Sequence, residues 1–534
     1  MNALKPILAI TLVAALLAGC AGNVTLTPTP ADVPAIFMTY TPAPGASPSL
    51  NGSTATPQVT PLLVLPPLDE STPDPEASAT LPPINTGGPM IAYNAQGGDT
   101  LGILAKRFGV APEEIISGDN LILPAPGVLL QPGILLLIPN RLTGELGPGQ
   151  RTIPDSEVVF ARTAADFDIP GYINAQHGYL ATYTQYLKTY GWTTGAQAVY
   201  HTAQDNSLSP RMMLAVIEYE SHWVLGNPTN LAQDDYPLGH IHPFYRALFR
   251  QLMWASAELS EGYYRWRSGD LNEVTFTDGS KIRLDPRLNA GTAAIQYFFS
   301  LTHTRAYWEQ AVNPNGGFAA LYTQMFGDPW TRAKTVEPLL PIGLTQPNLS
   351  LPFEPGQLWS FSNGPHSAWQ VPDGSVILVG GALAALDFAP AAAEHGCAKS
   401  DKWVVAPASG LVVRAANNVI VLDLDGDGLE QTGWDILFLH IASKDSVPAG
   451  VFLNKDDRIG HPSCEGGDAT GTHVHIARKY NGEWVLVDSP VPFNMDGWVA
   501  HGTGVLYKGT LTRGDQTVTA CACGTFATRI TRDK

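Results

Sequence analysis

The sequence predicts a multidomain exported chain, with a small βααβ module, an all-α domain and a mainly antiparallel β domain in series. Three observations carry this. Fifteen of the 44 prolines crowd into residues 23–89, where no Lys or Arg occurs; such a stretch cannot bury enough apolar surface to fold. Apolar residues recur at helical spacing through the middle of the chain, whereas short alternating runs bounded by Gly and Pro dominate from about Leu351. The 534 residues leave room for several domains. Only 15% of them are charged, and the net charge of −17 argues against nonspecific nucleic-acid binding.

Lys5 and the apolar run Ile7 to Leu17 read as an export signal, too short for a spanning helix. The run ends in Leu17-Ala18-Gly19-Cys20, which resembles the bacterial lipobox. That resemblance implies removal of residues 1–19, diacylglycerol on Cys20, and a chain tethered to the outer face of the cell membrane or outer membrane. An ordinary signal peptide is the alternative. Residues 20–89 then form a spacer reaching roughly 200 Å if extended and nearer about 45 Å as a coil.

Setting Cys20 aside leaves Cys397, Cys464, Cys521 and Cys523, an even number in an exported chain. A Cys397–Cys464 bridge is expected, contributing ~4 kcal/mol by loop closure. Its rival is a structural zinc site built with the nearby His395 and His461. Cys521 and Cys523 sit too close together for an easy mutual bridge.

Residues 90–141 read as strand, helix, helix, strand, with Gly98-Asp99-Thr100-Leu101 before the first helix and Pro112 opening the second. The order, with its G-D-T-L and Q-P-G elements, resembles the lysin motif (LysM). The resemblance implies binding of N-acetylglucosamine-containing glycans, peptidoglycan above all, through Gly98, Asp99, Thr100 and Leu101.

Residues 150–338 read as helical: Tyr179 to Tyr190, Thr194 to Gln204, and Arg211 to Trp223 behind the Ser209-Pro210 start. The last of these is apolar nearly all round and carries Glu220 on an apolar face. Desolvation there suits a general acid, and a buried or rim scaffold carboxylate is the other reading. Glu220-Ser221 and Leu288-Asn289-Ala290-Gly291 resemble the lytic transglycosylase (lysozyme-like) signature. The resemblance implies an all-α lysozyme-like fold and glycan cleavage through Glu220, although the family's G-L-M-Q stretch has no clear counterpart.

Residues 350–510 are expected to form the β domain, with 511–534 as a tail. In Gly471-Thr472-His473-Val474-His475 two imidazoles stand on one strand face. His440 ends the apolar run Ile436 to Leu439, Asp387 sits among apolar residues, and His366 occupies a Gly-Pro turn. The set resembles the lysostaphin-type zinc endopeptidases, which cut peptide bonds in peptidoglycan. That implies a split β-barrel, zinc on His366, Asp387 and His475, and catalytic roles for His440 and His473. The usual ligand position four residues before the Asp is Leu383, so His366, 21 residues away, takes its place as in a long-loop subgroup. A hairpin over Val371 to Ala385 is expected to bring it back. Asp423, Asp425 and Asp427 match half of a calcium loop, with Trp434 in place of the final Glu, and read as a polar turn or a weak Ca2+ site.

The combined expectation is a peptidoglycan hydrolase acting as a zinc endopeptidase. The rivals are glycan cleavage through Glu220 and a non-catalytic wall-binding or activating lipoprotein.

Overall fold

The computed structural model describes residues 89–369, 381–391 and 396–533. The expected signal, Cys20, the spacer, His395 and most of the expected Val371–Ala385 hairpin lie outside them. Among the described residues no helix is long and apolar enough to cross a membrane.

The first module comprises β1 (Met90–Asn94), α1 (Leu101–Phe108), β2 (Ile116–Ser117) and β3 (Leu135–Pro139), in the antiparallel order β1-β3-β2. The expected second helix is a single 3-10 turn at Pro112–Glu114. Ile115 and Ile116 end it, because β-branched side chains favour the short strand that follows.

The second region is not all-α. Its helices are α2 (Arg162–Ala165), α3 (Ile169–Gln176), α4 (Tyr179–Thr182), α5 (Gly195–Asn206), α6 (Pro210–Ser221), α7 (Leu231–Asp235), α8 (Leu248–Arg267), α9 (Ala290–Thr302), α10 (Arg305–Ala311), α11 (Phe318–Phe326) and α12 (Pro329–Ala333). Two hairpins interrupt them: β4 (Thr184–Leu187) with β5 (Gly191–Thr194), and β6 (Glu273–Thr275) with β7 (Lys281–Arg283). The expected helix Tyr179 to Tyr190 therefore stops after one turn. Thr, Tyr and Trp line the hairpin that replaces it, residues that suit a pleated surface better than a helix. Helix α5 starts where expected, with Thr194 and Gln197 in a reciprocal capping box.

The third region contains β8 (Leu358–Ser367), β9 (Leu383–Pro390), β10 (Val404–Val405), β11 (Gly410–Ala416), β12 (Val419–Asp423), β13 (Trp434–Leu439), β14 (Phe452–Leu453), β15 (Arg458–Gly460), β16 (Val474–Tyr480), β17 (Glu483–Trp484), β18 (Asn494–Met495), β19 (Trp498–Gly502), β20 (Gly509–Arg513), β21 (Gln516–Thr519) and β22 (Arg529–Thr531). One nine-stranded sheet runs β14-β11-β12-β13-β16-β9-β8-β22, with β17 paired to β16; a four-stranded sheet runs β18-β19-β20-β21. Residues 511–533 are thus part of the fold rather than a tail. Leu511, Val518 and Ile530 are buried at strand spacing, and β22 pairs with β8.

Strand alternation gives the large sheet two buried faces. Leu386, Phe388, Ile420, Leu422, Ile436, Phe438 and Ile476 face the core shared with the small sheet. Ala385, Val419, Val421, Leu437, Leu439 and Ala477 face the helical region and join its core. Buried ion pairs bridge that seam: Arg267 reaches Asp155 and Glu483, each at 3.0 Å, and Arg414 reaches Asp205 and Glu430, each at 2.8 Å. At the β16–β17 turn Gly482 has φ +79°, and a Cβ there would meet the Phe160 carbonyl at 2.2 Å, so only glycine lets the seam close.

Candidate metal centre

Four adjacent strands deliver the predicted residues to one point. In the β16–β9 ladder His475 lies directly opposite Asp387, and in the β13–β16 ladder it lies opposite Leu439, just before His440. Pairing of β8 with β9, irregular between Asn363 and Ser367, brings His366 alongside. His473 sits just ahead of β16 on the same face as His475. His440 leaves the strand with φ +62°, a conformation sparsely populated outside glycine.

Each imidazole is fixed through one nitrogen. His366 Nδ1 lies 2.9 Å from the Gly364 carbonyl and His475 Nε2 3.1 Å from that of Ala368; His440 Nδ1 lies 3.1 Å from Glu465 O and His473 Nδ1 2.7 Å from Gly471 O. A carbonyl only accepts, so in the neutral rings these nitrogens carry the protons and the opposite nitrogens are bare. The bare His366 Nε2 and His475 Nδ1 are 3.0 Å apart, and they lie 3.3 and 3.4 Å from Asp387 Oδ1. Three acceptors therefore converge with no donor among them, and Asp387 Oδ1 is buried without a hydrogen-bond partner.

Buried acceptors in that state are costly unless a cation satisfies them. Bonds of 2.0–2.2 Å to a tetrahedral ion would separate its ligands by about 3.3–3.5 Å, close to the spacing found. The donor set, two imidazoles and one carboxylate, fits zinc. Asn363 Nδ2 donates to Asp387 Oδ2 at 2.9 Å and orients that ligand.

The electrostatics agree. Burial alone would raise the Asp387 pKa, but His366 and His473 outweigh it and hold it well below the carboxylate range. Burial is the largest influence on His366 and lowers its pKa, but Asp387 and the Gly364 carbonyl together outweigh it, so Nε2 keeps a proton to higher pH than usual and is bare only above that range. Metal binding would release that proton. Burial, helped by His473 and His475, pushes His440 down to about 3, so it is neutral at ordinary pH. Its Nε2 has no partner, and its ring centroid is 4.4 Å from that of His473. His473 Nε2 lies 3.5 Å from Asp387 Oδ2.

Two neighbours escaped the sequence reading. Asn363 is one; its strand spacing to Asp387 exists only once β8 and β9 pair. Tyr507 is the other, stacked on His366 with centroids 4.8 Å apart. No local motif marks either residue.

The remaining predicted sites fare differently. Cys397 and Cys464 are bridged, with Cα atoms 5.6 Å apart. Their sulfurs are thereby unavailable for a zinc site, and His461 Nδ1 lies 2.7 Å from the Lys402 carbonyl instead. Cys521 and Cys523 are bonded to each other, contrary to the expectation from their proximity. Asp423 accepts backbone N–H groups from Asp425, Gly426 and Gly428, while Asp427 accepts from Leu429 and Thr432. These carboxylates serve a tight turn, which does not support a calcium site.

Glu220 Oε1 lies 2.8 Å from His303 Nε2, so the acid expected to be desolvated has an imidazole partner. The neighbouring Glu218 caps the end of α6, accepting from Val224 N and Leu225 N. In the first module, Gly98 takes φ +85° with the Arg267 guanidinium where a Cβ would stand. Asp99 forms a buried ion pair with Arg107 at 2.8 Å, Thr100 caps α1 and Leu101 enters the core. All four are buried, and each has a folding role that leaves little of it for a sugar.

Residues 151–340 match the family model "LasA, N-terminal domain". Protease LasA of Pseudomonas aeruginosa strain UCBPP-PA14 is 24% identical over 364 residues, covering 65% of this chain and 78% of that protein. The same protease from strain PAO1 is 23% identical over the same shares. Among solved structures, the deep-sea M23 metalloprotease pseudoalterin is 19% identical and overlaps 33% of this chain and 96% of its own, with a TM-score of 0.26. The catalytic domain of lysostaphin from Staphylococcus simulans is 20% identical over 25% of this chain and 89% of its own, with a TM-score of 0.17.

Proposed function

We propose that this chain is a zinc-dependent endopeptidase that cuts stem or cross-bridge peptides of the bacterial cell wall, held at the cell surface by a lipid on Cys20. The observation that carries the reading is the convergence of His366 Nε2, His475 Nδ1 and Asp387 Oδ1, three donorless acceptors at tetrahedral spacing beside two fixed, bare imidazole nitrogens. The likeness to protease LasA supports it.

His366, Asp387 and His475 would hold the ion, and three protein ligands leave a fourth position open. When bound, zinc acidifies water and polarises a carbonyl. The chain's own groups do the proton work. His440 Nε2 is bare, buried and neutral; held at about 3 it resists a proton, and it is placed to orient the attacking water by accepting a hydrogen bond from it. His473 Nε2, equally bare and on the more open side, is placed to take the proton of the attacking water and to return that same proton to the departing amine. The carbonyls of Glu465 and Gly471 keep both rings from turning, so neither loses its orientation between turnovers.

The test is peptide release from purified sacculi, paired with zinc content. His475→Ala and Asp387→Ala should lose both metal and release. His473→Ala should keep the metal and lose release by about 100-fold or more. Undiminished release by His473→Ala refutes the assignment.

A further inference from the structure

We propose that a cavity on the helical side of the large sheet takes an uncharged aromatic side chain of a polypeptide substrate, about three residues from the bond cut at the metal centre. The substrate role rests on the peptidase reading; the cavity's affinity for such a ring does not. The cavity has a volume of about 330 Å³, at the low end of ordinary ligand pockets, so it suits one side chain rather than a length of chain. Tyr190, Tyr200 and His201 of the helical region form one wall. Trp369, Val413 and Val419 of the β region form the other, so the pocket exists only while the two regions are docked.

The lining selects the chemistry. Among its described residues Arg414 is the one permanent cation, and it is already held by Asp205 and Glu430, each at 2.8 Å. Asp205, the one carboxylate of the lining, also accepts the Tyr190 hydroxyl at 3.0 Å. Burial, with Arg414 beside it, pushes His201 down to about 4, so that ring is neutral at ordinary pH. A charged occupant would lose its water and find no unspent partner among the described residues of the cavity. The walls offer flat rings instead. Tyr190 and His201 are stacked with centroids 4.0 Å apart, and Tyr200 stands edge-on to His201 at 5.5 Å. Trp369 lines the far side, over the apolar floor of Val413 and Val419. Faces and edges arranged in this way hold one further ring by offset and edge contacts.

The strand register ties the cavity to the centre. Ile420 opposes Phe438 and Leu439 opposes His475, so Val419, Leu439 and His475 stand in one row across β12, β13 and β16. Two strand spacings put Val419 about 10 Å from His475, the reach of about three residues of extended peptide. The mouth opens at the strand ends rather than through that packed row. Exposed Ala416, Asn417 and Ala449 rim it. Asn418, next along, donates its side-chain amide to Ile441 O at 2.9 Å, directly after His440. On the other side, the Ala368 carbonyl that fixes His475 immediately precedes Trp369 of the wall. A peptide crossing His440 along the strand ends passes this mouth.

Digestion of a randomised peptide mixture by the zinc-loaded full chain, with products sequenced by mass spectrometry, tests this. At one position about three residues from the cut, Phe and Tyr should be favoured over Ala, Lys and Glu by at least about tenfold in kcat/KM. Ala449→Trp fills the mouth from the β region and Gln204→Trp fills it from α5. Each should reduce that preference to less than about twofold, while peptides with Ala at the position are cut within about twofold of the parent rate. Circular dichroism and melting checks confirm that each variant is folded. Absence of an aromatic preference within about four residues of the cut overturns the proposal, as does a preference that survives either Trp variant. Titration calorimetry with N-acetyltyrosinamide, in chelator, reads the pocket without the metal. Saturable binding is expected, at least about tenfold weaker in each Trp variant, and absence of binding at millimolar ligand overturns the pocket itself. Ring binding by a chain that cuts no peptide sinks the peptidase reading and leaves the pocket. Cleavage with no aromatic preference sinks the substrate role and leaves the peptidase.

Discussion

Removing one hydrogen bond at Asn363 should loosen the metal without touching a ligand. Asn363 Nδ2 donates to Asp387 Oδ2 at 2.9 Å, while Oδ1 of the same carboxylate faces both ligand imidazoles at 3.3 and 3.4 Å. A hydrogen bond to a charged group contributes about 1.5–3 kcal/mol. In Asn363→Ala the carboxylate keeps its charge and burial but loses the donor that fixes its plane. Zinc affinity should therefore fall by about 10- to 100-fold, the range usual for partners of metal ligands. Asn363→Asp should do worse, since it sets a second carboxylate against Oδ2. Competition against a zinc chelator measures the affinity, and circular dichroism confirms the fold. An Asn363→Ala affinity within about twofold of the parent would refute the idea that this contact orients Asp387.

Glu430 gives a pH test. Burial alone would raise its pKa, but Arg414 and Lys479 outweigh this and hold it at about 2 against an ordinary 4.5. A depressed carboxyl stabilises the fold above its unfolded pKa, by about 3 kcal/mol here, and that contribution is lost as pH falls from about 5 toward 2. Urea melts of Glu430→Gln should be less stable at neutral pH, with a shallower acid slope; an unchanged slope contradicts the assignment. The Cys397–Cys464 bridge should contribute ~4 kcal/mol. Because Thr472 donates to the Gly396 carbonyl at 3.0 Å, Cys397→Ser with Cys464→Ser should lower both the melting midpoint and the peptide release that depends on His473. Glu220→Gln should leave metal-dependent peptide release unchanged, and the parent should yield no anhydro-muramyl sugars in chelator; such products, if lost in Glu220→Gln, would support glycan cleavage instead.

The convergence of Asp387, His440, His473 and His475 was legible because these residues are chemically conspicuous and their backbones are regular. The spacing of His473 and His475 places both rings on one face of any strand, and Asp387 among apolar neighbours requires a partner wherever it is buried. His366 was legible only by analogy, since its return depends on the irregular β8–β9 pairing, which no local pattern encodes. Asn363 and Tyr507 were invisible for the same reason: each acts across strands that are distant in sequence. In the middle region periodicity found α5 and α6 but missed the β4–β5 hairpin, where local β preference overrides a helix-like apolar spacing. The first module's G-D-T-L was read as a sugar contact. In the fold each of its residues has a capping, turn or core task, and Arg267 of another region presses on Gly98. Residues 511–534 read as a tail because their alternation is short and polar on one side, although β22 completes the large sheet.

Alternation along the large sheet has one further consequence. Asp387 and His475 lie on the same face as Ala385, Leu437, Leu439 and Ala477, the face that packs into the core of the helical region. Trp484 belongs to that core too, its indole N–H donating to Asn206 O at 3.1 Å and its backbone N–H to the Tyr264 hydroxyl at 2.9 Å. A core shared in this way cannot be opened from one side alone without exposing the other, so the helical and β regions should unfold together. Zinc bound only by the folded state then stabilises both; at free zinc of 100 times Kd the gain is about 2.7 kcal/mol. Hydrogen exchange should show slower opening of α5 and α8, far from the ligands in sequence, by the same increment as β9 and β16. If zinc protects only the strands while α5 and α8 exchange as before, the two regions are thermodynamically independent and the shared core does not couple them.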